Sequence, residues 1–300
     1  MNGLQLSQKF YDECGKDAIH ELFPEYEKRI AIAFCGHGSE CYGFDDEISC
    51  DHDFETGFAM FLTDEDDIKI GPRLSRLYRE ISKGEKIKRS LLCEKKNGVI
   101  RISDYFRRYT GSEGAPDSIE QWMALPSYAL AECVNGEVFR DDLGIFTAER
   151  EKIRNGMPED VRKKKMAAKA ALMAQSGQYN YERCLLHNQK EAAYLASDEF
   201  VKKACDMIFL LNRRHAPYYK WVFRAMDDLP LLSELKIPLS GILERRDIVQ
   251  NIERVSLSVI NELKRQDLST SNSDYLEDHA FEVMDRIENR YLKSLHVMEE

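Results

Sequence analysis

The run Ile30 to Cys35, apolar throughout and bounded by Arg29 and Gly36, constrains this chain more than any other stretch. A short unbroken apolar run that meets a glycine predicts a buried strand ending in a tight turn. Past the turn come Gly38-Ser39, then Asp51 and Asp53, then a second apolar run from Phe58 to Leu62. Residues two apart on a strand share a face, so Asp51 and Asp53 project together while His52 points away. Adjacent carboxylates repel unless a cation lies between them, so the pair implies a divalent metal. Mg²⁺ suits oxygen ligands and leaves room for water and phosphates. Gly38 lets backbone come close to a phosphate, and the Ser39 hydroxyl with its neighbouring N–H groups can donate to phosphate oxygens.

A Gly-Ser turn followed by Asp-x-Asp resembles the DNA polymerase β type nucleotidyltransferase superfamily, which includes the aminoglycoside nucleotidyltransferases. The fuller pattern, Gly38-Ser39-Glu40 with Gly43-Phe44-Asp45 and then Ser49-x-Asp51-His52-Asp53, is similar to an uncharacterised bacterial branch of it. A tract like Asn212 to Trp221, followed by Leu229-Pro230, goes with that branch, so the resemblance spans roughly residues 20 to 230. It implies that Gly38 and Ser39 hold the triphosphate and that Asp51 and Asp53 hold one or two Mg²⁺ ions. It also implies transfer of a nucleoside monophosphate from a nucleoside triphosphate, with ATP favoured, to an acceptor hydroxyl, releasing pyrophosphate.

The superfamily usually adds a third carboxylate, often the base that deprotonates the acceptor. The strand expected over Val99 to Ser103 carries Arg101 outward, and Asp104, one residue past it, is taken as the third acid. Glu132 and Asp141 are its rivals. Lys220, in Pro217-Tyr218-Tyr219-Lys220-Trp221, can hold a β- or γ-phosphate, with Tyr219 or Trp221 stacking on a base; surface placement and aromatic packing are the plain alternatives. His37, Cys41, Cys50 and His52 have zinc-ligand chemistry but match no familiar zinc spacing. Without a third acid in reach of the metals, the chain would be a weak or inactive relative that binds nucleotide or a protein.

Composition narrows the partners. A formal charge of −10 argues against bulk nucleic-acid affinity. The ten carboxylates between Asp45 and Asp67, with no Lys or Arg among them, favour a small and cationic acceptor over RNA or protein. Asp64 to Asp67 also reads simply as a solvated turn, and the basic runs at Lys86 to Lys96 and Arg162 to Lys165 as solvated helix faces. No stretch has the length and apolarity of a signal peptide core or a membrane span, so a soluble cytoplasmic protein with reduced cysteines is expected.

The expected fold is α/β plus α: a nucleotidyltransferase-like mixed sheet with helices over 1–147, and a helical bundle domain over 148–300. A helix over Ser7 to Glu27 is interrupted near Gly15 and ends around Pro24. Gly71-Pro72 opens a helix to about Ser82, and Lys95-Lys96-Asn97-Gly98 turns a hairpin between Leu91 to Cys93 and Val99 to Ser103. Val138-Phe139 is a further strand. Pro158 starts a new helix within Ala148 to Gln175, and Phe200 to Leu211 and Ile248 to Leu263 have bundle-helix spacing. Asp274 with Glu277 resembles a capping box for a last helix.

Overall fold

Local sequence signals place the first elements. The computed structural model describes residues 1–46, 57–83 and 96–300, which divide into two compact units. One comprises Met1–Asp117 with Tyr128–Gly156, the other Ser118–Ser127 with Met157–Glu300. In the first unit, Asn2 and Gln5 form a capping box that starts α1, Gly3–Phe10. The helix passes through a π turn, Tyr11–Gly15, into α2, Lys16–Leu22. The interruption ends at Gly15, where a Cβ would stand 2.5 Å from the ring of Phe58.

Four short strands form one mixed sheet: β1 (Ala31–Phe34), β2 (Ala59–Leu62), β3 (Gly98–Arg101) and β4 (Glu137–Arg140). Their spatial order is β3-β2-β1-β4. β1 runs antiparallel to β2 and β4, and β2 parallel to β3. β1 and β2 are buried at every position, which is why both read as continuous apolar runs. Alternation sends Ile32, Met60 and Leu62 into a core with Tyr11, Ile19 and Phe23. On the other face Phe61 stacks on Phe146 at 4.0 Å and meets Tyr105 edge-on at 5.2 Å. These rings come from α4 (Ile102–Thr110) and α7 (Ile145–Asn155).

The helix expected from Gly71-Pro72 begins seven residues earlier. α3 spans Asp64–Ile81, capped by Thr63, whose hydroxyl accepts the Asp66 N–H at 3.2 Å. Its acids Asp64 to Asp67 form the first turn, where the helix dipole favours them; Asp64 and Glu65 are exposed as a solvated turn predicts, while Asp66 is buried. Pro72 lies inside and removes the bond to the Ile68 carbonyl, on a residue that is exposed to water. β3 ends at Arg101, so Ser103 and Asp104 belong to α4. The first arm of the expected hairpin lies outside the described residues.

The regular elements of the second unit are helices, with no strand among its described residues. It opens with the short α5, Ile119–Ala124, and α6 (Ser127–Val134) leads back into the first unit. Pro158 caps α8, Glu159–Met173, whose Ala167, Ala168, Ala170 and Ala171 are fully buried and admit neighbouring helices closely. α9 (Tyr181–Leu186) and α10 (Lys190–Leu211) follow, then α11 (Tyr219–Ala225), α12 (Lys236–Leu243) and α13 (Ile248–Arg265). α14 (Leu276–Asp285) and α15 (Arg290–Ser294) close the chain; α8 packs against α10 and α14.

Asp274 and Glu277 form no capping box. The Leu276 N–H is taken by Gln178 Oε1 at 2.9 Å and the Tyr275 N–H by Ser273 Oγ at 3.1 Å. Nor is Arg162 to Lys165 a solvated face. Arg162 and Lys164 are buried, and the Lys164 ammonium donates to the carbonyls of His296 at 3.0 Å and Val297 at 3.1 Å. No helix among the described residues is long and apolar enough to cross a membrane.

Candidate functional site

β1 ends at Phe34, and the turn beyond it is held in place from several directions. The Gly36 N–H donates to Asn135 Oδ1 at 2.8 Å, and Asn135 Nδ2 donates back to the Gly36 carbonyl at 2.7 Å. Asn135 stands in the Asn-Gly turn that leads into β4, so the pair of bonds fastens the exit of β1 to the entry of β4. Gly38 then takes φ 106° and ψ 150°, a conformation closed to residues with a side chain. A Cβ at this position would also stand 2.8 Å from Glu40 Cδ.

Ser39–Tyr42 forms a 3₁₀ turn, closed where the Phe44 N–H donates to the Ser39 carbonyl at 2.9 Å. Ser39, Glu40 and Cys41 are buried. The Glu40 carboxylate makes an ion pair with the Lys96 ammonium, and both side chains are 3% exposed. Lys96 also lies over the Phe34 ring, 5.7 Å from its centroid. The expectation of Lys96 on a solvated basic face is therefore wrong. A lysine beside an Asn-Gly turn gives no local hint of a partner 56 residues away.

Of the three acids weighed as the third carboxylate, the structure brings one to this turn. The antiparallel β1/β2 pairing sets Ala33 opposite Ala59, and the parallel β2/β3 pairing sets Ala59 beside Gly98. The end of β1 thus shares a sheet end with the start of β3, and Asp104 lies beyond the opposite end. There its half-exposed carboxylate bonds Arg107 Nη1 at 2.8 Å and has Arg101 Nε at 3.8 Å. Asp141 comes after the far end of β4 and accepts the Gly144 and Thr147 N–H groups at 3.0 and 2.8 Å, organising the start of α7.

Glu132, on α6 three residues before Asn135, is the acid near the turn. Its charge acts on Cys41, Tyr42 and Tyr109, all of whose pKa values are raised mainly by burial. Glu132 is itself partly buried, and desolvation lifts its carboxyl above the usual carboxylate range. No cation pairs with it among the described residues. A desolvated acid without a cation gains from one that arrives.

Asp51 and Asp53 lie outside the described residues, as do Cys50 and His52. The buried Cys41 thiol donates to the His37 carbonyl at 3.4 Å, which suits packing better than metal ligation. Lys220 is exposed on α11 in the helical unit, next to Tyr219 at 70% exposure, and makes no hydrogen bond or ion pair among the described residues.

Residues 122–222 match the model of a domain of unknown function, DUF4037. No curated protein matches the chain. Among solved structures it is similar to a nucleotidyltransferase-like protein from Exiguobacterium sibiricum 255-15, at 14% identity and a TM-score of 0.37, over 91% of this chain and 81% of that one.

Proposed function

We propose that this chain transfers a nucleoside monophosphate from a nucleoside triphosphate, ATP favoured, to the hydroxyl of a small acceptor. The observation that carries the reading is the fastened Gly36–Gly43 turn at the end of β1, with the partly buried Glu132 beside it and no cation paired to that acid among the described residues. Gly38 leaves its side-chain space to the Glu40 carboxylate, which shapes the turn, and the Ser39 hydroxyl is the donor offered to a phosphate; the Cys41, Gly43 and Phe44 N–H groups are spent inside the turn. Asp51 and Asp53 are proposed to hold Mg²⁺; Asp53 stands four residues before Gly57, which covalent geometry keeps within about 14 Å of it. Bound there, Mg²⁺ would neutralise charge on the phosphate oxygens during in-line displacement.

Glu132 takes the role of base in place of Asp104. The acceptor oxygen forms a bond to the α-phosphorus, the bond from that phosphorus to the bridging oxygen breaks, pyrophosphate leaves, and the acceptor proton passes to the Glu132 carboxylate. A carboxyl whose pKa is raised by desolvation is a better proton acceptor than an ordinary one.

Calorimetric titration of each triphosphate, with and without Mg²⁺, tests the site in the wild type and in Asp51→Ala/Asp53→Ala. Mg²⁺-dependent binding that the double variant loses is the expected result, followed by incorporation of labelled nucleotide into screened acceptors. Failure of the folded wild type to bind any triphosphate would refute the proposal. Binding without transfer to any acceptor would leave a nucleotide-binding module.

A further inference from the structure

The Glu40–Lys96 ion pair is the best-enclosed pair of opposite charges at the turn, and no step of the proposed transfer uses it. Each side chain is 3% exposed. Glu40 belongs to the 3₁₀ turn itself, and its carboxylate fills the space that a side chain at Gly38 would need. Lys96 stands just ahead of β3, with its ammonium over the Phe34 ring at the end of β1. One bond therefore joins the turn to two strands of the sheet. Two buried opposite charges hold each other against water strongly, and removing one leaves the other stranded. Removing both together is far better tolerated.

We infer that Glu40 and Lys96 are positioning residues, whose buried pairing holds the Gly38–Ser39 turn in the shape that receives phosphates. The inference rests on the proposed transferase reading for the ligand, but the shape of the turn can be measured without one. Turn order is reported by the amides of Cys41, Gly43 and Phe44, which donate to the carbonyls of Gly38, Glu40 and Ser39 at 3.3, 3.2 and 2.9 Å.

The test compares Lys96→Met, which strands the Glu40 charge, with the neutral double variant Glu40→Gln/Lys96→Met, which removes both charges and keeps the volume. Hydrogen exchange is read at these three amides and at β1, and ATP–Mg²⁺ affinity by calorimetry. In the double variant we expect exchange at the three turn amides to quicken at least tenfold while β1 keeps its protection, and ATP–Mg²⁺ affinity to fall at least tenfold. Turn amides as protected as in the wild type would overturn the inference, whatever the affinity. So would a loss of protection spread equally over β1, because the pair would then serve the core alone. A quickened turn in a protein whose wild type binds no triphosphate would support the positioning role and refute the transferase reading separately.

Discussion

Gly136, just before β4, and Gly144, at the cap of α7, offer a controlled pair of substitutions on either side of one strand. Both take a left-handed backbone, at φ 69° and 70°, so replacing either by alanine incurs the same backbone penalty. Alanine costs about 1–2 kcal/mol in that conformation and returns about 0.4–1 kcal/mol by restricting the unfolded chain. Gly144 has open space around it, so Gly144→Ala should cost about 1 kcal/mol. At Gly136 the new Cβ would lie 2.7 Å from Cys35 Cα and overlap the Phe34 carbonyl oxygen. These are backbone atoms, which no rotamer change can move aside, and forcing β4 away from β1 adds about 1–3 kcal/mol or more.

Amide exchange in β1 and β4 is the suitable assay. The two tryptophans, Trp122 and Trp221, are both in the helical unit and do not report on the sheet. Gly144→Ala should lower protection about fivefold and Gly136→Ala about a hundredfold, with earlier loss at Ala33 and Phe34 than at Ala31. Equal losses in the two variants would show that β4 does not approach β1 as closely as the Asn135–Gly36 bonds require.

The buried charges carry further expected outcomes. Glu132→Gln should lower transfer at least about a hundredfold while triphosphate affinity holds within a few-fold, since a positioned base contributes to turnover rather than to binding. Because burial raises the Glu132 pKa in the folded state, its favourable contribution is complete below the unfolded carboxyl pKa and is lost as pH rises through the folded one. Glu132→Gln should accordingly be more stable than the wild type at pH 7 and equal to it below about pH 4, and a pH-independent difference in melting temperature would contradict this. Lys165, partly buried beside Lys169 with its ammonium on the Leu125 carbonyl at 3.1 Å, has its pKa lowered to about 8, mainly by desolvation. The sign is opposite, so wild-type stability should rise between pH 8 and the unfolded lysine value as the burial penalty on the ammonium is released. Lys165→Met should gain about 2 kcal/mol at pH 7, after about 1 kcal/mol is set against it for the lost hydrogen bond, and should lose that gain above about pH 10. Tryptophan-detected urea melts measure it, and a variant less stable at pH 7 would refute the assignment.

Sequence alone located the buried strands and most helices, because burial on both sheet faces and helical spacing leave local periodic signals. The interruption at Gly15 and the helix start at Pro158 were readable for the same reason: each is a property of one residue and its neighbours. The start of α3 was misplaced because Pro72 looked like punctuation, although Thr63 and the four following acids are the stronger start signal. The choice among Asp104, Glu132 and Asp141 depended on something no local pattern encodes. With strands of four residues, only the order β3-β2-β1-β4 and the strand directions decide which acid shares an end with Gly38 and Ser39. The Glu40–Lys96 pair is invisible for the same reason, and so are the two bonds between Asn135 and Gly36, which are 99 residues apart.

The two sheet ends differ in how their charges are answered, and that difference can be tested directly. At the end away from the turn, most carboxylates meet cations of the chain, while Asp64 takes the Ser103 hydroxyl and Asp141 two backbone N–H groups. Asp66 takes Arg29 Nε at 3.0 Å, Asp67 takes Arg101 Nε at 2.8 Å, Asp104 takes Arg107, and Glu27 takes Arg140 Nη1 at 2.6 Å. Acids already neutralised in this way have little to offer an incoming ion. At the turn end Glu40 is matched by Lys96, while Glu132 has no cation among the described residues. Asp104→Asn should therefore cost no more than about 1 kcal/mol, as expected for an exposed ion pair, and leave transfer and triphosphate affinity unchanged. Glu132→Gln, assayed alongside it, should abolish most transfer. Loss of transfer in Asp104→Asn with Glu132→Gln intact would mean that the acid which matters lies at the other end of the sheet, and that charge compensation is no guide to where this chain works.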